Sequence, residues 1–303
     1  MLFVLAAAGK LDRRCRRLYN APQLRRGTMI AVFRPDDSIL EQRPFTDDEV
    51  AFNIIHRIAD TEGAVLLKAE DGSAIYAQTP GHAPWLWISS DTDETGRERI
   101  VRKLCARTRG AGGGEQLQGI TSDPATAERF ARAYAELEGV SYRAHMTMQA
   151  YCCPQAVPPS AVPGLRRAAL PEDADTIAAF LAMFNRDAHG IDTEAADMAP
   201  AARQMAASGL LHLWLVDGEP AAMANIAHRS ARHGRINAVF TVPEHRKKGF
   251  ASALVAELCA MLAAGGRTPM LYADLANPAS NKAYRNIGFV EAGTIAALGF
   301  DWP

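Results

Sequence analysis

Residues 151–164 read YCCPQAVPPSAVPG, and the four prolines Pro154, Pro158, Pro159 and Pro163 forbid both a helix and a central strand there. Proline lacks a backbone donor and locks φ near one value. The segment predicts an extended linker that divides a 303-residue chain into two halves. At roughly 100–200 residues per domain, two domains are expected.

The two halves spell out the same order of elements: helix, β-hairpin, strand, helix, strand, helix, strand. In the first, TDDEVAFNIIHRIADTEG has Thr46 three residues before Glu49, a capping-box spacing, and predicts one helix ending at Gly63. AVLLKAEDGSAIYAQ predicts a hairpin turning at Asp71–Gly72. WLWIS follows as a strand, then a charged helix over 94–108, a glycine-rich break over 110–114, a strand at LQGIT, a helix over 124–138 and a strand at RAHMTMQAY.

In the second half, helices are expected from PEDADTIAAFLAMF and around 192–208, a hairpin at Asp217–Gly218, and a strand at RINAVFTV. ASALVAELCAMLAAGG predicts a helix with Leu254, Val255, Leu258 and Leu262 on one stripe and Gly265 as its stop. LYADL is a strand, SNKAYRNI a helix and GFVEAGTIAALGFDW a closing strand pair. The segments starting at Leu117 and Leu271 align without a gap, placing Asp123–Pro124 on Asn277–Pro278. A duplicated α/β domain with a mixed sheet follows.

Charge narrows the partners. The first 28 residues carry seven bases and one acid, leaving 26 bases and 33 acids on residues 29–303, a net of −7. Such a body attracts neither nucleic acid nor an anionic membrane. The basic extension suits a targeting peptide, a nucleic-acid or ribosome-directed arm, or sequence upstream of a start at Met29, the last being the plainest. Cys15, Cys105, Cys152, Cys153 and Cys259 show no zinc-ligand spacing, so no metal is implied, and an odd thiol count fits a reducing compartment. No apolar run approaches the ~18–20 residues that span a bilayer; the expected location is cytoplasmic.

The chemistry concentrates in VFTVPEHRKKGFASALVAEL, residues 239–258. A strand stops at Pro243, a basic turn runs from Arg246 to Ala251, and an amphipathic helix opens at once. Such a turn aims successive N–H groups and the positive end of the helix dipole at an anion. Gly249 permits close approach, and Lys247 and Lys248 add positive charge. A single glycine rules out the dinucleotide fingerprint, and the missing GKS or GKT rules out a Walker loop.

The P-x-x-R-x-x-G-x-A block from Pro243 to Ala251, followed by the strand and helix of LYADLANPASNKAYRNIGF, resembles the GNAT superfamily of N-acetyltransferases over about 165–303. That resemblance implies tandem GNAT-like domains: 29–150 with a lost cofactor site, the linker 151–164, and a catalytic domain over 165–303. Acetyl-CoA or another acyl-CoA would be the co-substrate, its pyrophosphate on Arg246, Lys247, Lys248, Gly249, Phe250, Ala251 and Ser252. Its pantetheine arm would pair with the strand edge at Phe240, Thr241 and Val242, helped by Asn277 and Asn281. An N–H near 239–241 would polarise the thioester carbonyl.

Tyr284 would protonate the leaving thiolate after direct attack by a small-molecule or peptide amine. Glu219, His228, Glu244, His245 and Asp274 stay open as general bases. In the first half Ala127 and Phe130 stand where Asn281 and Tyr284 align, and DTDETGRERI places acids at the corresponding turn. Trp85 and Trp87 are candidates for an acceptor-pocket wall, with core packing the simpler role. A catalytically silent acyl-CoA sensor is the alternative reading. The acceptor, the acyl length and the oligomeric state stay open.

Overall fold

The computed structural model describes residues 30–111 and 116–303. The basic extension, Cys15, Met29 and positions 112–114 of the glycine-rich break lie outside them. In chain order the first elements are β1 (Ile30–Val32), α1 (Phe45–Phe52), α2 (Ile54–Ala59), β2 (Val65–Ala69), β3 (Ala74–Gln78), β4 (Trp85–Ile88), α3 (Glu94–Ala111), β5 (Gly119–Ser122), α4 (Pro124–Glu138) and β6 (Ser141–Cys152). They continue as β7 (Leu165–Ala168), α5 (Ala174–His189), α6 (Ala195–Ala207), β8 (Leu211–Val216), β9 (Glu219–Arg229), β10 (His233–Thr241), α7 (Phe250–Ala264), β11 (Thr268–Asp274), α8 (Pro278–Ile287) and β12 (Val290–Asp301).

These elements form two compact units that do not follow chain order. One unit comprises the described residues up to Ala150 together with Ala273–Ala276 and Glu291–Pro303; the other comprises Tyr151–Tyr272 and Asn277–Val290. The first is called here the N-terminal unit and the second the C-terminal unit.

In the N-terminal unit β1 to β4 pair antiparallel and β4 runs parallel to β5. Beside β5 lies β12, antiparallel from Ala296–Ser122 to Gly299–Gly119, and then β6. The chain's last strand is thus an inner strand of this sheet. Leu298 and Phe300 bury with Ile100, Val101 and Leu104 of α3 and with Phe130, Ala131 and Tyr134 of α4. The Trp302 indole donates to the Leu117 carbonyl at 2.8 Å. The expected closing strand pair is instead one continuous twelve-residue strand, because Gly293, at φ +130°, does not reverse the chain.

The single helix expected from Thr46 is also corrected. Its N-cap is Pro44, with no side-chain cap, and it breaks at Asn53 between α1 and α2. Glu49 does not return to the cap; it is buried and lies 3.0 Å from His56 Nε2. Burial next to an imidazole outweighs a capping contact worth ~1 kcal/mol. Trp87 packs edge-on against Phe45 and donates to Asp48 at 2.9 Å, fully buried, which makes it core.

In the C-terminal unit β7, β8, β9 and β10 are antiparallel, and β10 runs parallel to β11. Asp217 and Gly218 both take positive φ, 52° and 89°, the conformation a two-residue hairpin turn requires. One face buries Ile177, Phe180 and Leu181 of α5 with Leu213, Met223 and Phe240 of the sheet. The stripe of α7 expected from sequence, Leu254, Val255, Leu258 and Leu262, is fully buried.

From Cys153 on, the proline-rich segment is irregular chain within this unit. The Cys153 N–H donates to the Pro269 carbonyl at 2.9 Å and the Val157 N–H to the Ile287 carbonyl at 2.7 Å. The Trp214 indole donates to the Pro163 carbonyl at 3.0 Å. The four described cysteines are thiols, three of them buried. Among the described residues no helix is long and apolar enough to cross a membrane, and no group of three or more His, Cys, Asp or Glu is placed to hold a metal.

Candidate active site

Strand β10 is built to leave one backbone edge open. Its paired register with β11 ends at Arg235–Met270, whereas its pairing with β9 continues to Thr241–Ala222. Between Asn237 and Phe240 the β9 register shifts by one residue, a bulge, and Ala238 sits at φ +49°. A β-bulge re-aims the backbone groups beside it, and a non-glycine residue in the left-handed region persists only where the surroundings impose it. Asn225 Nδ2 donates to Asn237 Oδ1 across the ladder at 3.0 Å, fixing the register on one side of the bulge. On the other side Phe240 is buried against Phe180, so this residue offers a ligand its backbone and not its ring.

Beyond Val242, which is also buried, Pro243–His245 forms a single 3-10 turn. Lys247 then takes φ +63° and Gly249 φ +84° immediately before α7. Residues in alternating right- and left-handed conformation gather their N–H groups into a concave anion cradle. Gly249 is the N-cap of α7 and no side chain caps it. The first N–H groups of a helix lack intrahelical partners, so Phe250, Ala251 and Ser252 present donors along the positive end of the dipole. Phe250 itself buries its ring, 5.7 Å from His245. A side chain at 249 would be strained by φ, and its Cβ would stand 3.2 Å from Val162 of the proline-rich segment.

Not every basic residue of the turn faces a ligand. Arg246 donates through Nε to the Thr241 carbonyl at 3.1 Å, pairs with Asp187 of α5 and lies over the Phe240 ring. It stakes the turn to β10 and α5. Lys248 reaches His245 Nδ1 at 3.2 Å, while Lys247 is exposed.

Helix α8 packs against α7. Its start is fixed by Asn277, whose Oδ1 accepts from the Ser280 N–H at 3.0 Å. Buried Asn281 donates to the Asn277 carbonyl at 2.7 Å and accepts from the Tyr151 hydroxyl at 2.9 Å. The Asn277 side chain is therefore spent on the helix start, and that of Asn281 is divided between the helix start and Tyr151. Tyr284 is half-buried between the rings of Tyr151 and Phe289, at 6.5 and 5.7 Å. Among the described residues its hydroxyl makes no hydrogen bond. Burial pushes its phenol well above the ordinary range, so it stays protonated at neutral pH.

Of the base candidates, Glu219 and Glu244 are exposed, and Asp274 accepts from the Ala276 N–H at 2.9 Å. His228 is half-buried. Sequence reasoning missed Ala238, Asp187 and Tyr151. Nothing marks an alanine as a bulge residue, Asp187 lies 59 residues from its partner, and Tyr151 fell in the segment read as linker.

The FR47-like protein family model matches residues 212–296, which contain the bulge, the turn and α8. Among solved structures, a Drosophila protein aligns at TM-score 0.61 and 12% identity, covering 91% of this chain and 99% of its own. A GCN5-related N-acetyltransferase from Sphaerobacter thermophilus aligns at 0.58 and 16%, covering 90% and 96%. A GNAT-family acetyltransferase from Colwellia psychrerythraea aligns at 0.54 and 12%, covering 91% and 100%. The comparison with curated proteins gives no match. The family match covers that stretch alone, and the structural likeness, running over nine-tenths of the chain, shows that the fold is one shared with GNAT acetyltransferases.

Proposed function

We propose that this protein is an N-acetyltransferase that moves an acetyl or other short acyl group from acyl-CoA to a primary amine, with a single active site in the C-terminal unit. The observation that carries the reading is the conjunction at β10 and α7: an open strand edge with a bulge, then an anion cradle whose helix start no side chain fills. Acyl-CoA supplies an activated thioester, so the chain need only hold it, polarise its carbonyl and receive the leaving thiolate.

The N–H groups from Lys247 to Ser252 bind the pyrophosphate, and the β10 edge aligns the pantetheine arm as an added strand. The bulge at Ala238 turns a neighbouring N–H toward the thioester oxygen. As the amine attacks directly and the new amide nitrogen loses its proton to water, Tyr284, kept protonated by burial, donates its proton to the leaving thiolate and regains one from solvent. Arg246 shapes the turn rather than contacting phosphate. The N-terminal unit is a GNAT-like domain without a cofactor site, and the protein works in the cytoplasm.

Two measurements test this. Thiol release from acetyl-CoA is followed across a panel of amino acids, polyamines, aminoglycosides and peptides, and binding of CoA is measured by calorimetry. Turnover with any amine and binding abolished by charge reversal at Lys247 and Lys248 are expected. CoA binding without turnover would leave the sensor reading in its place; no CoA binding at all overturns both.

A further inference from the structure

We propose that Tyr151 is a positioning residue for Tyr284, fixing α8 and the phenol it carries from the last residues of β6. The proposal rests on the reading of Tyr284 as the proton donor.

Tyr151 is completely buried, a place where phenylalanine packs equally well and a hydroxyl is costly unless paired. That hydroxyl is paired twice. It accepts from Arg285 Nη1 at 3.1 Å and donates to Asn281 Oδ1 at 2.9 Å. Asn281 and Arg285 stand four residues apart, one above the other on a single helix face, and Tyr284 lies between them in the chain. Asn281 passes the connection on through Nδ2 to the Asn277 carbonyl at 2.7 Å. A directed line of hydrogen bonds thus runs from the last turn of α8 through Tyr151 to the N-cap at Asn277.

Tyr284 has no such anchor of its own. With no hydrogen bond to its hydroxyl among the described residues, its direction is set by ring packing, and Tyr151 supplies one of the two bracketing rings, tilted at 53°. At the aligned positions of α4 the chain has Ala127, Phe130 and Ala131, all fully buried, so neither the phenol nor its supports occur there.

The test is Tyr151→Phe, which removes one oxygen and keeps the ring. In protein carrying ¹³Cζ-labelled tyrosine, the Tyr284 signal is identified by its loss in Tyr284→Phe. In Tyr151→Phe that signal is expected to shift or broaden, with kcat on acetyl-CoA and the best panel amine falling roughly 10- to 100-fold, the effect of a small misplacement. KM for acetyl-CoA should hold, and the double variant should be no slower than Tyr284→Phe alone. If Tyr151→Phe does not fold, Arg285→Lys probes the same hydroxyl from the other side. A parental Tyr284 signal and parental kcat in the Tyr151 variant, with Tyr284→Phe still crippled, overturn this proposal alone. Full turnover in Tyr284→Phe overturns the acid role and this proposal together.

Discussion

Helices α3 and α7 each follow a strand in their half of the chain, yet their first turns are built for opposite purposes. At α3 the Asp93 carboxylate accepts from the Gly96 N–H at 2.7 Å, so the anion that a helix start attracts is already covalently present. At α7 the N-cap is Gly249, with no side chain to fill the cradle and two lysines before it. Helices α4 and α8 differ as instructively. Asp123 caps one and Asn277 the other at 3.0 Å each, so the scaffold is shared. But Phe130 is sealed in the core against Tyr134, whereas Tyr284 carries a hydroxyl without a hydrogen bond among the described residues. The lesson is that two similar pairs of helices are set apart by what occupies two helix starts and one ring position, the differences on which the proposed division between support and catalysis rests.

Exchanging those ring positions should give the largest effects. Tyr284→Phe is expected to lower kcat by ~10²–10⁴ with CoA affinity unchanged. Phe130→Tyr should instead cost ~1–3 kcal/mol of stability by overfilling a closed core, and confer no turnover. Stopped assays and denaturant unfolding read the two. If Phe130→Tyr is neutral, that core is looser than the burial implies.

The helix ends provide the next contrast. Gly139 ends α4 at φ +72° with open space around it, and Gly288 ends α8 at φ +105° with its missing Cβ 2.3 Å from the Gln155 carbonyl. Gly139→Ala should cost only the left-handed penalty, ~1–2 kcal/mol. Gly288→Ala should cost more and loosen the proline-rich segment, seen as faster proteolysis between Gln155 and Val162. Equal losses would mean that this segment is not held by α8.

Giving α7 the cap of α3 makes a smaller change. Gly249→Asp, with a residue type that tolerates left-handed backbone, should weaken CoA binding about tenfold by placing a carboxylate in the cradle. Calorimetry with unchanged affinity would relocate the pyrophosphate. Smallest of all, Thr46→Ala should leave stability within ~0.5 kcal/mol, because Thr46 caps nothing. A loss of ~1 kcal/mol would restore the capping box.

Much of the scaffold was legible because its signals are local. Asp217–Gly218, Asp123–Pro124, Asn277–Pro278 and the α7 stripe each act within a few residues, and the structure has turns, caps and a buried face where they predict them. What escaped depends on distant partners. The place of β12 beside β5 is a pairing across some 175 positions that no periodicity encodes. The break at Asn53 follows from burying Glu49 with His56, a tertiary demand that overrode a good local cap. Likewise the turn at Arg246 to Ala251 was readable as a bend opening a helix at Gly249, but Arg246's engagement with Asp187 and Thr241 was not, because a guanidinium's partner is set by packing.

The allegiance of β12 also orders the events of synthesis. As the nascent chain emerges, α3, α4 and β5 are complete long before Leu298 and Phe300 arrive to close their core. Until those final residues are added, the earlier-made half carries an uncovered apolar face and a vacant strand slot, an invitation to chaperones and to aggregation. Stability of the half made first is therefore withheld until the half made second has been added.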